Sequence, residues 1–315
     1  MDALKTDPEF SIVIPTYNRA LLLPRALQSV MGQSLDSFEV IVADDGSTDE
    51  TAAALTHWQG LFGERLRVLH LSHEGVACAR NAGLAASRGR WIAFLDSDDE
   101  WLPNHLETLR EAFGRDSAPG LVFTDHYIQS DRLVRTRVEL GEERNEAVRR
   151  IILRQAVLLT TVVAIERRVY EALGGFAPEL QGTEDWEYWA RIAIEFPVAH
   201  APEGTAIIYQ HAENHSSDPA KAERQLAAAA RVIGSRRIAP YCTAAEVEAR
   251  AFLDSAEFHS WNGATLATLR QLRQAAIRAP RLLATRDALR ILSRALLPLS
   301  VYRWIRNEFW RRLRH

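Results

Sequence analysis

Three aspartates fall within four positions of one stretch of the chain, WIAFLDSDDEW at Trp91–Trp101. Asp96, Asp98 and Asp99 follow directly on a run of mostly apolar residues. Carboxylates this close repel one another unless a cation balances their charge. Mg²⁺ or Mn²⁺ typically takes one or two protein carboxylates, while phosphate and water complete its coordination. The stretch therefore indicates either a cation site beside a phosphate-bearing ligand or an acidic turn that caps the next helix.

A second polar cluster, DDGS at Asp44–Ser47, ends another apolar run. A carboxylate at this point can accept a hydrogen bond from a nucleobase N–H, and Gly46 lets the chain turn without a Cβ. A plain strand-to-helix turn would use the same residue types. The cluster is therefore a candidate base-binding site, with a structural turn as the alternative.

Five apolar stretches in the first half of the chain must position these residues. They lie at residues 10–15, 38–45, 67–71, 91–96 and 120–125, and they are short and rich in β-branched residues. Such stretches are typical of a parallel sheet that is buried on both faces. Helix-like segments between them predict right-handed strand–helix–strand units and a doubly wound α/β sheet. Both acidic clusters then fall beyond the carboxyl ends of strands, where such sheets bind ligands.

The composition changes after about residue 219, where Ala, Arg, Leu and Glu replace the strand formers. We expect amphipathic helices there, and we divide the chain into an α/β domain at residues 1–218 and a helical region at residues 219–315. The two cysteines, Cys78 and Cys242, have no metal-ligand spacing and are too few for a disulfide framework. They indicate a reducing compartment.

Four ordered motifs resemble family 2 glycosyltransferases. They are VIPTYNR (13–19), EVIVADDGSTDET (39–51), ARNAGLAASRGRWIAFLDSDD (79–99) and GGFAPELQGTEDWEYWARIA (174–193). The resemblance covers roughly residues 9–217 and implies the GT-A fold, a Rossmann-like, mostly parallel sheet flanked by helices. It also implies an inverting glycosyltransferase of the hexosyltransferase type that uses a nucleotide sugar and usually a divalent cation, Mn²⁺ or Mg²⁺.

The resemblance assigns a donor site to the first hundred residues. Asp45 is expected to face the base, which for uracil would be through N3–H, so a UDP-sugar is the expected donor. Asp98 is expected to bind the cation directly, with Asp96 supporting the ribose or the metal, and His211 is expected to complete the metal site. A polar loop without function is the alternative for His211. The residues expected to bind the nucleotide sugar are Pro15, Thr16, Tyr17, Asp45, Arg80, Asn81, Asp96 and Ser97, whereas Asn18 and Arg19 are expected to start a helix.

The segment TEDWEYW at Thr183–Trp189 is expected to supply the general base. Inversion requires that the acceptor hydroxyl lose its proton as it attacks the sugar from the face opposite the leaving group. The resemblance points to Asp185 for this role, with Glu184 as a neighbouring or orienting group. The aromatic residues of the segment have the spacing of a buried helical face, and we expect at least two of them in the core.

Two other functions compete with this interpretation. A nucleotidyltransferase uses a similar sheet and acidic metal site, but it needs a glycine-rich phosphate loop after the first strand, and PTYNRALLL contains no glycine. A non-catalytic protein that binds nucleotide sugars or glycans is the second alternative. The presence of both Asp98 and Asp185 argues against it.

The end of the chain is basic. Residues 281–315 contain nine arginines and two acidic residues, a net charge of +7, so the rest carries −10 to reach the total of −3. Arg286, Arg290 and Arg294 recur every four residues, and an apolar stripe with tryptophans follows Pro298. This pattern indicates contact with a membrane surface, docking on the acidic body of the protein, or a homodimer contact. A nucleic-acid partner is not expected, because no base-stacking platform accompanies the charge.

These features together predict a cytoplasmic enzyme, with peripheral attachment at the inner face of the membrane as an open question. The first residues, MDALKTDPEF, lack the apolar core of a signal peptide, and the longest uncharged apolar segment, Gln155–Ile165, is too short to cross a bilayer. We expect the acceptor to be a glycan or a lipid-linked molecule in polysaccharide, lipopolysaccharide or glycolipid assembly.

Overall fold

The computed structural model of the protein describes residues 7–115, 118–130, 132–209, 221–234 and 237–297. The chain divides into two compact units, unit 1 at Met1–His215 and unit 2 at Ser216–His315. Unit 1 holds a nine-stranded sheet with flanking helices, and the described part of unit 2 is helical.

The first four strands of unit 1 are parallel and form one half of the sheet. The elements are β1 (Phe10–Thr16), α1 (Leu23–Met31), β2 (Phe38–Asp44), α2 (Thr51–Phe62), β3 (Leu66–His70), α3 (Val76–Ala86) and β4 (Trp91–Phe94). The strand order is β3-β2-β1-β4. Every residue of β1, β2 and β4 is buried, which is why these strands read as continuous apolar runs.

The second half of the sheet is mixed. Its elements are β5 (Glu100–Trp101), α4 (His105–Phe113), β6 (Leu121–Gln129), β7 (Leu133–Thr136), α5 (Arg144–Ile152), β8 (Val163–Glu166), α6 (Arg167–Leu173), α7 (Glu184–Glu195) and β9 (Val198–Tyr209). Strand β8 lies antiparallel between β4 and β6, and β9 pairs parallel with β6 and antiparallel with β5. The parallel order therefore holds through the first strand–helix units and ends where β8 inserts. The expected Rossmann-like α/β architecture with a helical C-terminal region is confirmed.

The carboxyl ends of three neighbouring strands meet at one edge of the sheet. Thr16 at the end of β1 is in register with Asp44 at the end of β2, and the Asp45 N–H donates to the Thr16 carbonyl at 2.8 Å. On the other side of β1, the Leu95 N–H donates to the Val13 carbonyl at 3.1 Å. The acidic clusters that follow β2 and β4 are therefore brought to opposite sides of the residues that follow β1.

Helix α3 packs unusually close to the sheet. A Cβ built on Gly83 would lie 2.3 Å from Cγ1 of Val13, far inside the contact distance. The helix reaches this position because its inner face carries Ala77, Ala79 and Gly83, all of them buried. Small side chains thus fix the distance between α3 and β1.

Aromatic residues of α7 form part of the core of unit 1. Trp186, Tyr188 and Trp189 are all buried, and Trp189 packs against Phe94 at a ring distance of 5.9 Å. The expectation that at least two of them belong to the core is confirmed.

The described helices of unit 2 pack around a small apolar core. They are α8 (Lys221–Gly234), α9 (Ala244–Trp261), α10 (Thr265–Arg278) and α11 (Arg286–Leu296). The side chain of Thr243 and that of Glu246 form a capping box that starts α9. Leu253 of α9 and Ile291 of α11 are buried in this core. No helix in the described ranges is both long and apolar enough to span a membrane.

Arg290 and Arg294 of α11 are engaged within unit 2 instead of forming the open basic stripe that their spacing predicts. Arg290 donates to Glu257 at 3.0 Å, and Arg294 is buried. The Arg294 guanidinium lies 3.6 Å from the centre of the Trp261 ring and donates to Ser260 at 3.2 Å. These two charges are used within unit 2. Residues 298–315, which carry the rest of the predicted basic tail, lie outside the described residues.

Candidate active site

A cavity of about 500 Å³ opens where the carboxyl ends of β1, β2 and β4 meet. Seven of the eight residues predicted to bind a nucleotide sugar line it, and so does Asp98. The seven are Pro15, Thr16, Tyr17, Asp45, Arg80, Asp96 and Ser97. We call this space the donor cavity. It joins residues that are up to 83 positions apart in the chain.

The carboxylate of Asp45 stabilises a neighbouring turn by hydrogen bonds to its backbone. The side chain is buried, and it accepts hydrogen bonds from the backbone N–H groups of Glu74 and Gly75, both at 2.9 Å. Gly46 has a φ of 77°, and a Cβ there would lie 3.2 Å from the backbone of His73, so a side chain would crowd this turn. A carboxylate has about four acceptor sites, so Asp45 retains capacity for a ligand N–H.

Aromatic and hydroxyl groups from the end of β1 complete this part of the cavity. The Tyr17 ring stacks on the imidazole of His73, with ring centres 4.0 Å apart and an angle of 22°. The Thr16 hydroxyl oxygen is buried and has no hydrogen-bond partner among the described residues. A buried hydroxyl without a partner is costly, so this oxygen offers a hydrogen bond to a ligand or a water molecule in the donor cavity.

Arg80 of α3 forms the wall between the donor cavity and a second space. Its guanidinium donates to Asp96 at 2.8 Å and to Glu184 at 2.9 Å. Burial lowers the pKa of the guanidinium, but the charges of Asp96 and Glu184 outweigh that effect and raise the pKa above its ordinary value. Arg80 therefore stays positive although it is only 6% exposed.

The second space is a cavity of about 170 Å³ that shares Arg80 and Asp96 with the donor cavity. Asp185 and Glu184, from the first turn of α7, lie on its wall. One oxygen of Asp185, Oδ1, accepts the Trp186 N–H at 2.7 Å, and Oδ2 has no hydrogen-bond partner within the described part of the chain. Glu184 is engaged on both oxygens, by Arg80 and by the N–H of Gly182. Burial raises the pKa of Glu184, while the charge of Arg80 opposes that rise.

Asp99 lies on the wall of the second cavity and joins distant segments instead of capping a helix. Its carboxyl accepts the Thr161 hydroxyl at 2.6 Å and the Tyr209 N–H at 3.1 Å. Helix α4 has no side-chain cap. Burial, and next to it the charge of Asp96, raise the pKa of Asp99 to about 8. The role of Asp99 in this structure is to hold the acidic loop against Thr161 and the end of β9.

The oxygen atoms of Asp96 and Asp98 fit a hard divalent cation. Both carboxylates line the donor cavity from the same turn, and Mg²⁺ or Mn²⁺ needs no more than one or two protein carboxylates when phosphate and water supply the remainder. Within the described ranges, no group of three or more Asp, Glu, His or Cys residues is placed to hold a metal ion. Arg19 approaches Asp98 to 3.8 Å.

Two of the predicted site residues lie elsewhere. Asn81 does not line the donor cavity, because its side chain donates to the carbonyl and accepts from the N–H of Phe176, both at 2.8 Å. It fastens the loop before α7 to α3. His211, the predicted additional metal ligand, lies outside the described residues.

Three residues that the sequence did not single out for this role also line the donor cavity: Arg19, Val76 and Ala79. Arg19 was expected in the helix start, but α1 begins only at Leu23, so Arg19 belongs to the loop at the end of β1. Its place directly after PTYN, at the carboxyl end of a strand, was the signal for a ligand contact. His73 contacts both Tyr17 and Asp45, and nothing local in the sequence indicates this.

The model of the family described as glycosyl transferase family 2 matches residues 11–169, just over half of the chain. An uncharacterized glycosyltransferase of Nostoc sp. is 29% identical over 187 residues, which are 58% of this chain and 56% of that protein. The chain thus spans little more than half the length of this relative.

Solved structures resemble the chain over nearly its whole length. Staphylococcus aureus TarS 1–349 has a TM-score of 0.65 at 19% identity, covering 91% of this chain and 90% of that one, and a further structure of it holds UDP-GlcNAc. The mannosyltransferase PcManGT of Pyrobaculum calidifontis, in complex with GDP-Man and Mn²⁺, has a TM-score of 0.60 at 20% identity, covering 95% and 83%. At these identities the likeness establishes the fold, which is of the GT-A type.

Proposed function

The chain belongs to glycosyl transferase family 2, and on that premise we propose that it transfers a sugar from a UDP-sugar to a hydroxyl acceptor with inversion at the anomeric carbon. The observation that carries the proposal is the donor cavity, where the ends of three strands bring Asp45, Asp96 and Asp98 together. A base-binding group and a cation-binding pair on one wall suit a nucleoside diphosphate.

The base and the ribose of the donor are proposed to lie along the ends of β1 and β2. Asp45 accepts a hydrogen bond from the base N–H, and Tyr17 presents the face of its ring to the base. The Thr16 hydroxyl is positioned to complete its bonding on the same ligand. Asp96 and Ser97 form the wall on which the ribose is proposed to rest.

Asp98 is proposed to hold Mn²⁺ or Mg²⁺, with Asp96 beside it. When bound, the cation neutralises the charge that develops on the departing diphosphate. Arg80 supplies a second, permanent positive charge to the same region, and its two ion pairs fix the position of the guanidinium. UDP-GlcNAc in TarS and GDP-Man with Mn²⁺ in the mannosyltransferase support a nucleotide sugar in this fold.

Asp185 is proposed to be the general base. The acceptor oxygen forms a bond to the anomeric carbon as the bond from that carbon to the diphosphate oxygen breaks, and the hydroxyl proton passes to Oδ2 of Asp185. The Trp186 N–H holds the other carboxylate oxygen, so the side chain keeps one orientation. Glu184 cannot accept this proton without losing a contact, because both of its oxygens are engaged.

A thermal-shift panel of UDP, GDP, CDP and dTDP, with and without Mn²⁺, tests the donor. A nucleotide at 100 times its Kd stabilises the folded protein by about 2.7 kcal/mol. We expect the largest rise in Tm with UDP and Mn²⁺ together. Stabilisation by GDP alone would contradict the UDP assignment, and nucleotide binding without any hydrolysis of a UDP-sugar panel would favour the non-catalytic binding protein.

We further propose that the enzyme acts in polysaccharide, lipopolysaccharide or glycolipid assembly, in the cytoplasm and at the inner face of the membrane. The last residues of the chain carry the basic and tryptophan-rich pattern of an interfacial helix. Removal of residues 281–315 would delete the buried Ile291 of α11, so the truncation that tests attachment is one after Leu297. Loss of sedimentation with anionic vesicles in low salt supports the proposal, and unchanged sedimentation contradicts it.

A further inference from the structure

Helix α5 ends in a Schellman arrangement whose left-handed position is an arginine. The Arg154 N–H donates to the Ile151 carbonyl at 3.0 Å, and the Gln155 N–H donates to the Arg150 carbonyl at 2.8 Å. Arg154 has a φ of 50°. Glycine is the usual residue at this position because a Cβ is strained there. Arg154 therefore makes the folded protein less stable than glycine at the same position would, and its side chain is a candidate for a function that offsets this cost.

The Arg154 side chain reaches a cleft that the general base also lines. The cleft measures about 20 Å³, and Asp185 and Trp186 form part of its wall. The Arg154 guanidinium lies 5.5 Å from the centre of the Trp186 ring, and the indole N–H of Trp186 donates to the Ile152 carbonyl at 3.2 Å. One tryptophan thus holds both the guanidinium and the end of α5.

Three cavities lie in a row, and each adjoining pair is lined in part by the same residues. The donor cavity and the 170 Å³ cavity share Arg80 and Asp96, and the 170 Å³ cavity shares Asp185 with the cleft of Arg154. Asp185 therefore borders both the cavity next to the donor cavity and the cleft of Arg154. An acceptor whose hydroxyl reaches Asp185 lies beside Arg154, because both residues line the same small cleft.

We propose that Arg154 binds a phosphate, or another anionic group, carried by the acceptor. The inference rests on the proposed function and names the acceptor class of the same site. Arg80, which lines the neighbouring cavity, already pairs with Asp96 and Glu184, and Asp185 adds a further carboxylate there, so an anionic acceptor needs a positive charge at its own position. A guanidinium meets phosphate oxygens with paired donors.

The size of the cleft limits what enters it. A space of about 20 Å³ holds roughly one water-sized group, so it receives an anionic oxygen and not a whole sugar. Val157, 49% exposed at the same cleft, offers an apolar surface to the rest of the acceptor. The cleft therefore takes only the charged oxygen of the acceptor, and the part next to it lies against Val157.

The test compares myo-inositol with inositol 1-phosphate, which differ by the phosphate. Binding of each to the full-length protein is measured by ligand-observed NMR, with and without Mn²⁺ and the nucleotide that gives the largest thermal shift. We expect inositol 1-phosphate to bind more tightly than inositol, and Arg154→Gly to weaken it by about tenfold, which corresponds to about 1.4 kcal/mol. Arg154→Lys should retain part of the preference, because it keeps the charge without the paired donors.

The Arg154→Gly variant also distinguishes a loss of ligand binding from a loss of stability. Because it removes the strain at φ 50°, the Tm of Arg154→Gly should be no lower than that of the wild type. Ala118, with a φ of 41°, is a matched control, since Ala118→Gly relieves the same strain at an exposed position that lines none of the three spaces. An undiminished preference for inositol 1-phosphate in Arg154→Gly would overturn the proposal, and so would equal binding of the two inositols by a wild type that also fails to sediment with vesicles of phosphatidylinositol.

Vesicles of phosphatidylinositol distinguish the source of the phosphate. Binding of inositol 1-phosphate alone identifies a soluble phosphorylated acceptor, and Arg154-dependent sedimentation with the vesicles identifies a lipid-linked one. Both results support the proposal, and absence of both contradicts it. A protein that binds no nucleotide would instead refute the transferase, so the two failures are distinguishable.

Discussion

Arg80 donates a hydrogen bond to Glu184 at 2.9 Å across 104 positions of sequence, and both side chains are buried. The contact joins α3, which walls the donor cavity, to the first turn of α7, which carries the proposed base. Glu184 therefore acts through Arg80, as the residue that positions the guanidinium between the two cavities.

Glu184→Gln tests this positioning role. The amide keeps the shape but removes the charge that holds Arg80, so we expect the Kd of UDP with Mn²⁺ to rise by about tenfold, the cost of about 1.4 kcal/mol. Turnover with saturating donor should fall far less than in Asp185→Asn, because Asp185 is the proposed base. A purely structural role would lower Tm without changing nucleotide affinity, and a loss of turnover as large as that of Asp185→Asn would make Glu184 the base.

Asp98→Ala and Asp185→Asn should separate cation binding from proton transfer. Asp98→Ala is expected to impair Mn²⁺-dependent nucleotide binding and turnover together. Asp185→Asn should still bind nucleotide with Mn²⁺, while turnover falls by roughly 10²–10⁴, the range for loss of a positioned general base. Calorimetry and transfer rates measure both effects, with the exposed Asp36→Ala as a control that should change neither. Near-normal transfer by Asp185→Asn would place the base elsewhere.

Gly83→Ala should destabilise unit 1, because its Cβ would lie 2.3 Å from Val13. Overpacking of a buried contact costs about 1–3 kcal/mol in free energy of unfolding. Since α3 also carries Arg80, nucleotide affinity should fall as well. Gly60→Ala is the matched control: it lies in α2 with no atom within 4 Å of its added Cβ, and it should stabilise the protein by about 0.5–1 kcal/mol. Denaturant unfolding of both variants makes the comparison, and equal stabilities would contradict the close packing.

His105 should make the folded protein sensitive to acid. It is fully buried, stacks on Trp101 at 4.2 Å, and its Nδ1 lies 2.7 Å from the Thr205 hydroxyl. Burial lowers its pKa to about 3, below the ordinary value of 6.5. Below pH 6.5 the unfolded chain therefore binds a proton at this histidine, whereas the folded protein does not. The free energy of unfolding falls as pH falls from 6.5 toward 3, by about 1.4 kcal/mol per pH unit.

The His105→Gln variant removes that titration. Between pH 6.5 and 5, its free energy of unfolding should fall less steeply than that of the wild type, by about 2 kcal/mol over the interval. His57→Gln, at an exposed position of α2, should keep the wild-type slope. Parallel slopes for all three proteins in denaturant titrations would show that His105 does not stay neutral.

The sequence could predict the donor side of the site because strand ends are local features. An apolar run that stops at Asp45 or Asp96 marks the carboxyl end of a strand, and parallel neighbours bring such ends together. The partners that cross the fold could not be read in this way. Asn81 bonds Phe176 and Asp99 bonds Thr161 only because helices and strands far apart in the chain pack side by side.

Other features could not be predicted from the sequence because they depend on helix ends and on packing. The left-handed conformation of Arg154 contradicts the local preference for glycine, so no propensity indicates it. The arginine spacing in α11 is periodic in both a surface helix and a packed one, and burial of Arg294 against Trp261 decides between them. Insertion of β8 between β4 and β6 likewise depends on pairing that the short apolar run at Val163–Glu166 does not specify.

The shared wall of Arg80 and Asp96 has an evolutionary consequence. Because the donor cavity and the base-lined cavity meet in the described structure at these two side chains, the loops on either side can vary separately. Substitutions at Tyr17 or His73 would change the nucleotide side of the site without altering the segment around Arg154. Donor and acceptor recognition can therefore change one at a time, provided that the wall of Arg80 and Asp96 is kept.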